Sequence, residues 1–389
     1  MIQIPVEPKL TEYLHKKAAR ARIPLSLSFE LTPVCNMACR MCYVRMDKIT
    51  QESIAPLRPA KDWLKLADEA REMGLLYILL TGGEPFLYPE LPELVGELQE
   101  KGFIISINTN GTMIDEKAIE WLRRSPPSRL NITLYGSSDE TYGRLCGKSD
   151  GFTKVTRAID LLRDEGIQVR ISVSVTPWNA QDLEGIFAWC RQNHLLLKAS
   201  SYMFPPLRRD SESIGRNNRF TPEEAAYYSA KIVSLLNGEE QFLERFESGK
   251  LVSLPCESLE ECERNIEGEG DSIRCRAGRC TGWVTWDGKL LMCGMIPDES
   301  APKVFEEGFS GAWEKIVRQA NKIRLPAACK DCSVKEECRA CAAMVYTESG
   351  DYSRVPDYRC RMAHAYPEQA AKLAKQIKMK QSEEQNEQE

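Results

Sequence analysis

Histidine is scarce in this chain, with three among 389 residues. No run of eighteen apolar residues occurs, so no stretch reads as a membrane-spanning helix. The first residues, Met1-Ile2-Gln3-Ile4-Pro5, lack the charged-then-apolar pattern of an export signal. These absences predict a cytoplasmic protein with no membrane partner. An excess of one charge is missing too. Lys and Arg total 52 against 57 Asp and Glu, and a net charge of −5 offers no footprint for nucleic acid. The pair Arg208-Arg209 reads as a solvated loop. The remainder, 42% hydrophobic and 28% charged, is ordinary for a globular protein. At this length a single core stops growing, so two domains are expected.

Cysteine is what the chain has in plenty. Fifteen cysteines without an export signal argue for metal rather than disulfides. Cys35, Cys39 and Cys42 are spaced C-x3-C-x2-C just past the apolar run Leu25 to Leu31. Three thiolates on one loop can hold three irons of a four-iron cluster. Such clusters normally take four cysteines, so the fourth iron is left for another ligand, an arrangement that suits an enzyme. A structural zinc site is the competing reading, but no fourth ligand lies nearby and the nearest histidine is His15.

From Leu25 to about Ser201, short apolar runs alternate with helical patterns. The runs are Leu25–Phe29, Leu76–Leu80, Ile104–Ile107, Leu130–Leu134, Val169–Val175 and Leu195–Lys198. Between them lie amphipathic stretches such as Trp63, Leu66, Ala67, Ala70 and Met73, closed by Gly74, and Phe152, Val155, Ile159 and Leu162, closed by Gly166. Six β–α repeats of this kind predict an α/β fold with a parallel sheet under covering helices. Periodicity leaves open whether that sheet curls. A Pro- and Arg-bearing break spans 202–220, and Thr221, Pro222 and Glu224 spell the start of a helix with a capping box. Residues 381–389 are polar and acidic and are expected to be disordered.

Two polar segments close strand runs. Thr81-Gly82-Gly83-Glu84-Pro85 offers glycines that let backbone approach a ligand and a carboxylate able to accept from an ammonium. Asn108-Thr109-Asn110-Gly111 follows the third run, where a plain turn is the bland reading. A second group of cysteines runs from Cys275 to Cys360 and includes Cys329-x2-Cys332-x5-Cys338-x2-Cys341. Within it, Trp283–Trp286 and Lys289–Met292 read as a hairpin about Asp287-Gly288, which would bring Cys280 and Cys293 together. A pair of zinc ribbons is the alternative for this region. Cys146, Cys190, Cys256 and Cys262 are left over. Cys190 reads as core, and Cys146 is a candidate for the cavity.

The three-cysteine loop with its Gly-Gly-Glu segment resembles the radical S-adenosylmethionine (radical SAM) enzymes. The resemblance implies a six-stranded partial (β/α) barrel. It also implies that the open iron chelates the methionine amino and carboxylate groups of S-adenosylmethionine, whose reductive cleavage yields a 5′-deoxyadenosyl radical. By that likeness Gly82, Gly83 and Glu84 meet the cofactor amino group, and Asn108 and Asn110 lie beside the cofactor. Thr133 stands where the family has a serine on the methionine carboxylate, and Tyr135 where many members have Asp. Arg170, with Ser172 and Ser174, is placed to meet ribose or carboxylate if its face turns inward.

The C-terminal cysteines resemble the SPASM extension, which carries auxiliary four-iron clusters. The likeness assigns Cys275, Cys280, Cys293 and Cys341 to one cluster and Cys329, Cys332, Cys338 and Cys360 to another, giving three [4Fe–4S] clusters in all. Two residues separate Cys338 from Cys341, where the family's commonest form has three. The implied organisation is a barrel over 1–220, a linker and helix over 221–274, the auxiliary-cluster domain over 275–365 and a polar tail over 366–389. Fully ligated auxiliary clusters would transfer electrons.

SPASM relatives mostly modify peptides, so a peptide substrate is the first expectation, with flavodoxin or ferredoxin as electron donor. Only 34 residues precede Cys35, too few for a peptide-recognition domain, so a separate binding protein, or direct recognition, would have to do that job. Gly294 stands where sulfatase-maturing relatives have a catalytic Asp and argues against formylglycine formation. The second expectation is a small-molecule or tetrapyrrole transformation, since haem-pathway relatives share this architecture and length. A reading of another class is a non-catalytic scaffold with zinc at each cysteine group.

Overall fold

The six apolar runs become six parallel strands. The computed structural model describes residues 7–205, 218–249, 273, 275–338 and 340–386. The strands are β1 (Ser26–Thr32), β2 (Tyr77–Gly82), β3 (Ile104–Thr109), β4 (Arg129–Thr133), β5 (Val169–Ser174) and β6 (Leu196–Ser200). They pair in sequence order, with β1 at one end and β6 at the other. Helices return the chain between them: α1 (Lys9–Ala21) before β1, then α2 (Lys48–Ile54), α3 (Ala60–Glu72), α4 (Leu91–Glu100), α5 (Glu116–Arg124), α6 (Asp139–Cys146), α7 (Gly151–Asp164) and α8 (Leu183–Gln192).

Parallel pairing needs such crossovers, and they cover one face of the sheet. On that face Leu27, Phe29, Ile78, Leu80, Ile105, Ile107, Leu130, Ile132, Ile171, Val173 and Leu197 are buried. Phe29 meets Trp63 of α3 with ring centroids 5.0 Å apart. The alternate residues form a polar inner face: Ser28, Glu30, Ser106, Asn108, Arg129, Asn131, Thr133, Arg170, Ser172, Ser174 and Lys198. The period of two thus answers which face of β5 turns inward: the one bearing Arg170.

The sheet has eight strands where six were expected. The hairpin of β7 (Thr281–Val284) and β8 (Leu290–Leu291) joins beside β1, with β7 parallel to it. An uncovered β1 would leave a row of unpaired N–H and C=O groups, and the hairpin satisfies them. Its tip lies at Asp287-Gly288 as expected, with Gly288 at φ 92°.

The C-terminal half adds α9 (Pro222–Asn237), α10 (Glu239–Glu247), α11 (Phe309–Lys322), α12 (Ala342–Ser349) and α13 (Asp357–Asn386). Thr221 and Glu224 form the expected capping box of α9. Residues 381–386, expected to be disordered, continue α13. Leu373, Ala374 and Ile377 bury one side of that helix, Tyr227 of α9 donates to Gln376 Oε1 at 2.8 Å, and this packing outweighs the polar composition of its end. Among the described residues no helix is long and apolar enough to cross a membrane.

Candidate active site

The three-cysteine loop is built by alternation. Met37, Met41 and Val44 are buried in the core, which holds the loop down from below. Its ends are tied where Met46 N–H donates to Pro33 O at 3.0 Å. Asp47 then caps α2, its Oδ1 accepting from Thr50 N–H at 2.8 Å. On the far side the loop rests on the end of α6. Ala38 N–H donates to Cys146 O at 2.8 Å and Arg40 N–H to Leu145 O at 3.0 Å. A helix end leaves its last carbonyls without intrahelical partners, and here the loop supplies them.

The glycines of the Gly-Gly-Glu segment serve this same loop. Gly83 N–H donates to Thr32 O at 2.7 Å and Glu84 N–H to Val34 O at 2.9 Å. A Cβ on Gly83 would lie 2.6 Å from Pro33 O and closer still to Val34 O; one on Gly82, at φ 155°, would collide with Thr32 O. The close approach is therefore backbone to backbone. On this side the two glycines serve the packing of the cysteine loop.

Glu84 is wholly buried and joins the motifs. Its Oε1 accepts from Thr109 Oγ1 at 2.7 Å and Phe86 N–H at 3.1 Å, and its Oε2 from Asn110 N–H at 2.8 Å. Burial raises its carboxyl to about 7 despite these three donors. Asn110 carries the link onward: its Nδ2 donates to Asn36 Oδ1 at 2.9 Å and lies 3.6 Å from Cys35 Sγ. Thr112 and Asn36 close the circuit, since Asn36 Nδ2 donates to Thr112 Oγ1 at 2.9 Å and Thr112 Oγ1 to Asn110 Oδ1 at 2.6 Å. Asn36 and Thr112 were not singled out in the sequence; both flank motif residues, which was the only signal.

The loop offers sulfur donors and N–H groups aimed at sulfur. Met37 N–H donates to Cys35 Sγ at 3.4 Å and Arg45 N–H to Cys42 Sγ at 3.3 Å. Arg45 Nε is buried without a hydrogen-bond partner. Burial pushes the Cys35 thiol up to about 12, and Glu84, Cys39 and Cys42 add to it. Cys39 is held well above the ordinary thiol range, first by its hydrogen bond with Cys146 and then by burial. Crowded, buried thiols resist ionising, so a bound metal would have to displace their protons.

The other residues singled out in the sequence lie on the inner face. Asn108 Oδ1 accepts from Asn131 Nδ2 at 2.7 Å, and Thr133 pairs in register with Ser172. Arg170 pairs with Asn131 on one side and Leu196 on the other. Tyr135, just beyond β4, is held by its backbone: its N–H donates to Tyr142 Oη at 3.1 Å and its carbonyl accepts from Asn179 Nδ2 at 2.9 Å.

The C-terminal cysteines fall into separate groups. Cys329 has Cys338, Cys332 and Cys360 as charge neighbours, and burial with these thiols raises its pKa. Cys293 lies beside Cys341 and is pushed up to about 12, mainly by burial. Cys280 is buried with Ala18, Ala19 and Leu25, and Arg279 neighbours both it and Cys275. Cys280 and Cys293 are thus at the ends of one hairpin but in different surroundings. Cys256 and Cys262 lie outside the described residues. Among the described residues, no group of three or more His, Cys, Asp or Glu could hold a single metal ion.

Comparison with known proteins places this geometry. Residues 29–190 match the model of the Radical SAM superfamily. The chain is 23% identical over 344 residues to the AdoMet-dependent heme synthase of Methanosarcina barkeri, covering 87% of this chain and 97% of that one. It is 25% identical over 354 residues to the PqqA peptide cyclase of Gluconobacter oxydans, covering 83% and 87%. Among solved structures, native anSMEcpe with bound AdoMet and Cp18Cys peptide matches with a TM-score of 0.64 at 20% identity, over 91% of this chain and 99% of that one. At that identity the likeness is one of fold.

Proposed function

Residues 29–190 form a radical SAM domain and the chain is a radical SAM enzyme, and from that premise we propose that it modifies a peptide. The domain implies a [4Fe–4S] cluster and S-adenosylmethionine. When bound, these supply a reductively generated 5′-deoxyadenosyl radical that takes a hydrogen atom from the substrate. The chain's own work is to bind, orient and shield. Cys35, Cys39 and Cys42 would hold three irons and leave the fourth for the cofactor. The observation that carries this is the link from buried Glu84 through Asn110 to Cys35, which unites three separate motifs. Glu84 is occupied with positioning, so Gly82, Gly83 and Glu84 would act on the cofactor through the loop geometry they fix. Asn108, Thr133 and Arg170 line the inner face where cofactor carboxylate and ribose would lie.

Cys329, Cys332, Cys338 and Cys360 would hold one auxiliary cluster, and Cys275, Cys280, Cys293 and Cys341 another, within an auxiliary domain over 275–365. Their task would be electron transfer, with flavodoxin or ferredoxin as donor. The peptide reading is supported by the PqqA peptide cyclase, matched over most of its length, and by the fold shared with a peptide-bound structure.

One observation favours a second reading. Arg129, Arg170 and Lys198 bring three cations to the inner face, a charge pattern suited to the carboxylates of a tetrapyrrole, and a heme synthase is matched over 97% of its length. Anaerobic reconstitution tests the common core. About twelve irons and dithionite-driven release of 5′-deoxyadenosine are expected. Cys35→Ala should bring that release to background. Zinc in place of iron, or iron without cleavage, would overturn the radical reading. Turnover of candidate precursor peptides against an iron coproporphyrin then decides between substrates: consumption of the porphyrin alone would refute the peptide proposal.

A further inference from the structure

The side chain of buried Asn110 has two unlike ends, and its neighbours fix which one meets sulfur. Its backbone is set just past β3, where its N–H donates to Glu84 Oε2 at 2.8 Å. Thr112 N–H donates to the amide oxygen, Oδ1, at 2.9 Å. A backbone N–H can only donate, so the atom it meets must be the oxygen and the amide cannot be turned over. Thr112 Oγ1 donates to the same oxygen at 2.6 Å. That hydroxyl has one hydrogen, so it accepts from Asn36 Nδ2, at 2.9 Å. The amide nitrogen of Asn110 then has two hydrogens and two acceptors, Asn36 Oδ1 at 2.9 Å and Cys35 Sγ at 3.6 Å. The same sulfur accepts from Met37 N–H at 3.4 Å, and its own thiol hydrogen faces Asn36 Oδ1 at 3.9 Å.

We infer that Asn110 is a positioning residue whose amide donates to the Cys35 sulfur when it is bound to iron, and so raises the reduction potential of the cluster held by Cys35, Cys39 and Cys42. Asn36 and Thr112 fix its aim. The inference rests on the reading of Cys35 as a cluster ligand, and it commits the amide to sulfur rather than to S-adenosylmethionine. A ligating thiolate has no proton to give, so the contact with Asn36 Oδ1 is lost and the sulfur only accepts. Reduction adds one electron to the cluster and no proton leaves the amide. The added negative charge is favoured by a donor already aimed at sulfur. Hydrogen bonds to sulfur are among the factors that set cluster potentials. Because S-adenosylmethionine cleavage begins with this reduction, the amide would ease its first electron.

The test is a dithionite titration of the anaerobically reconstituted full chain, following by EPR the reduced signal that changes when S-adenosylmethionine is added. Asn110→Leu keeps the bulk and removes the donor. It should keep the signal but lower its midpoint by about 59 mV, a tenfold fall in the reduced-to-oxidised ratio at fixed potential. Thr112→Val leaves Asn110 in place without one of the groups that orient it, and should shift the midpoint the same way by less. Thr112→Ser restores the hydroxyl and should titrate with the unsubstituted protein. An unchanged midpoint in Asn110→Leu would overturn the inference. Should that variant not take up iron, the Thr112 pair decides, and equal midpoints for Thr112→Val and Thr112→Ser would overturn it. Cys35→Ala separates this question from the one beneath it: a responsive signal surviving there overturns the ligand assignment itself.

Discussion

Glu84 shows how a single carboxylate can serve a site from inside the protein. It accepts from Thr109, Asn110 and Phe86, yet its carboxyl is raised from 4.5 to about 7 because burial outweighs those donors. The folded chain therefore holds this proton to higher pH than the unfolded chain does. Its contribution to stability is complete below pH 4.5 and is lost as pH rises through 7. The shift corresponds to at most about 3 kcal/mol. Urea unfolding of the metal-free protein between pH 5 and 8 should show this decline, and Glu84→Gln should flatten it. Identical pH profiles for the two proteins would count against a raised carboxyl.

At the scale of elements, the site is a meeting of chain ends. The end of β1, the end of β2 and the last turn of α6 each give backbone hydrogen bonds to one loop. Gly83 is the tightest of these joints, since any Cβ there drives into Pro33 and Val34 carbonyls that cannot rotate away. Gly83→Ala should cost about 1–3 kcal/mol, as overpacking does, and should also shift the loop that carries Cys35. The expected outcome is a lower melting temperature together with reduced iron retention after reconstitution. Full iron content with unchanged melting would show that the loop accommodates the methyl group.

Across the whole molecule, the C-terminal half is fastened to both edges of the sheet. At the β1 edge it adds the hairpin of β7 and β8. Beyond β6, Arg219 makes a double contact with Glu348 of α12, at 2.7 and 3.1 Å, and Tyr202 Oη donates to the same carboxylate at 2.8 Å. The Glu348 side chain is only 6% exposed. Removing one partner of a buried pair leaves an uncompensated charge, so Arg219→Ala should destabilise by about 3–5 kcal/mol. Combining it with Glu348→Gln should cost less than the sum of the two, read in a double-mutant cycle of urea unfolding. Strict additivity would mean the pair does not couple the two halves.

The sequence alone determined what depends on local periodicity and on chemistry confined to a few neighbours. Six parallel strands, the capping box at Thr221, the turn at Asp287-Gly288 and the three-cysteine loop were all legible. Strand ends were not. β1 runs on to Thr32, β2 to Gly82 and β3 to Thr109, because polar residues there face inward and break the apolar run. Only tertiary structure decided that β7 seals the edge of β1, that the polar end of α13 is helical and that Gly82 and Gly83 make room for backbone. It also decided that the cysteine loop docks on the far-off end of α6, where Ala38 and Arg40 donate to the carbonyls of Cys146 and Leu145. The physical reason is common to all four: each follows from the approach of segments distant in sequence, and neither residue type nor spacing encodes that approach.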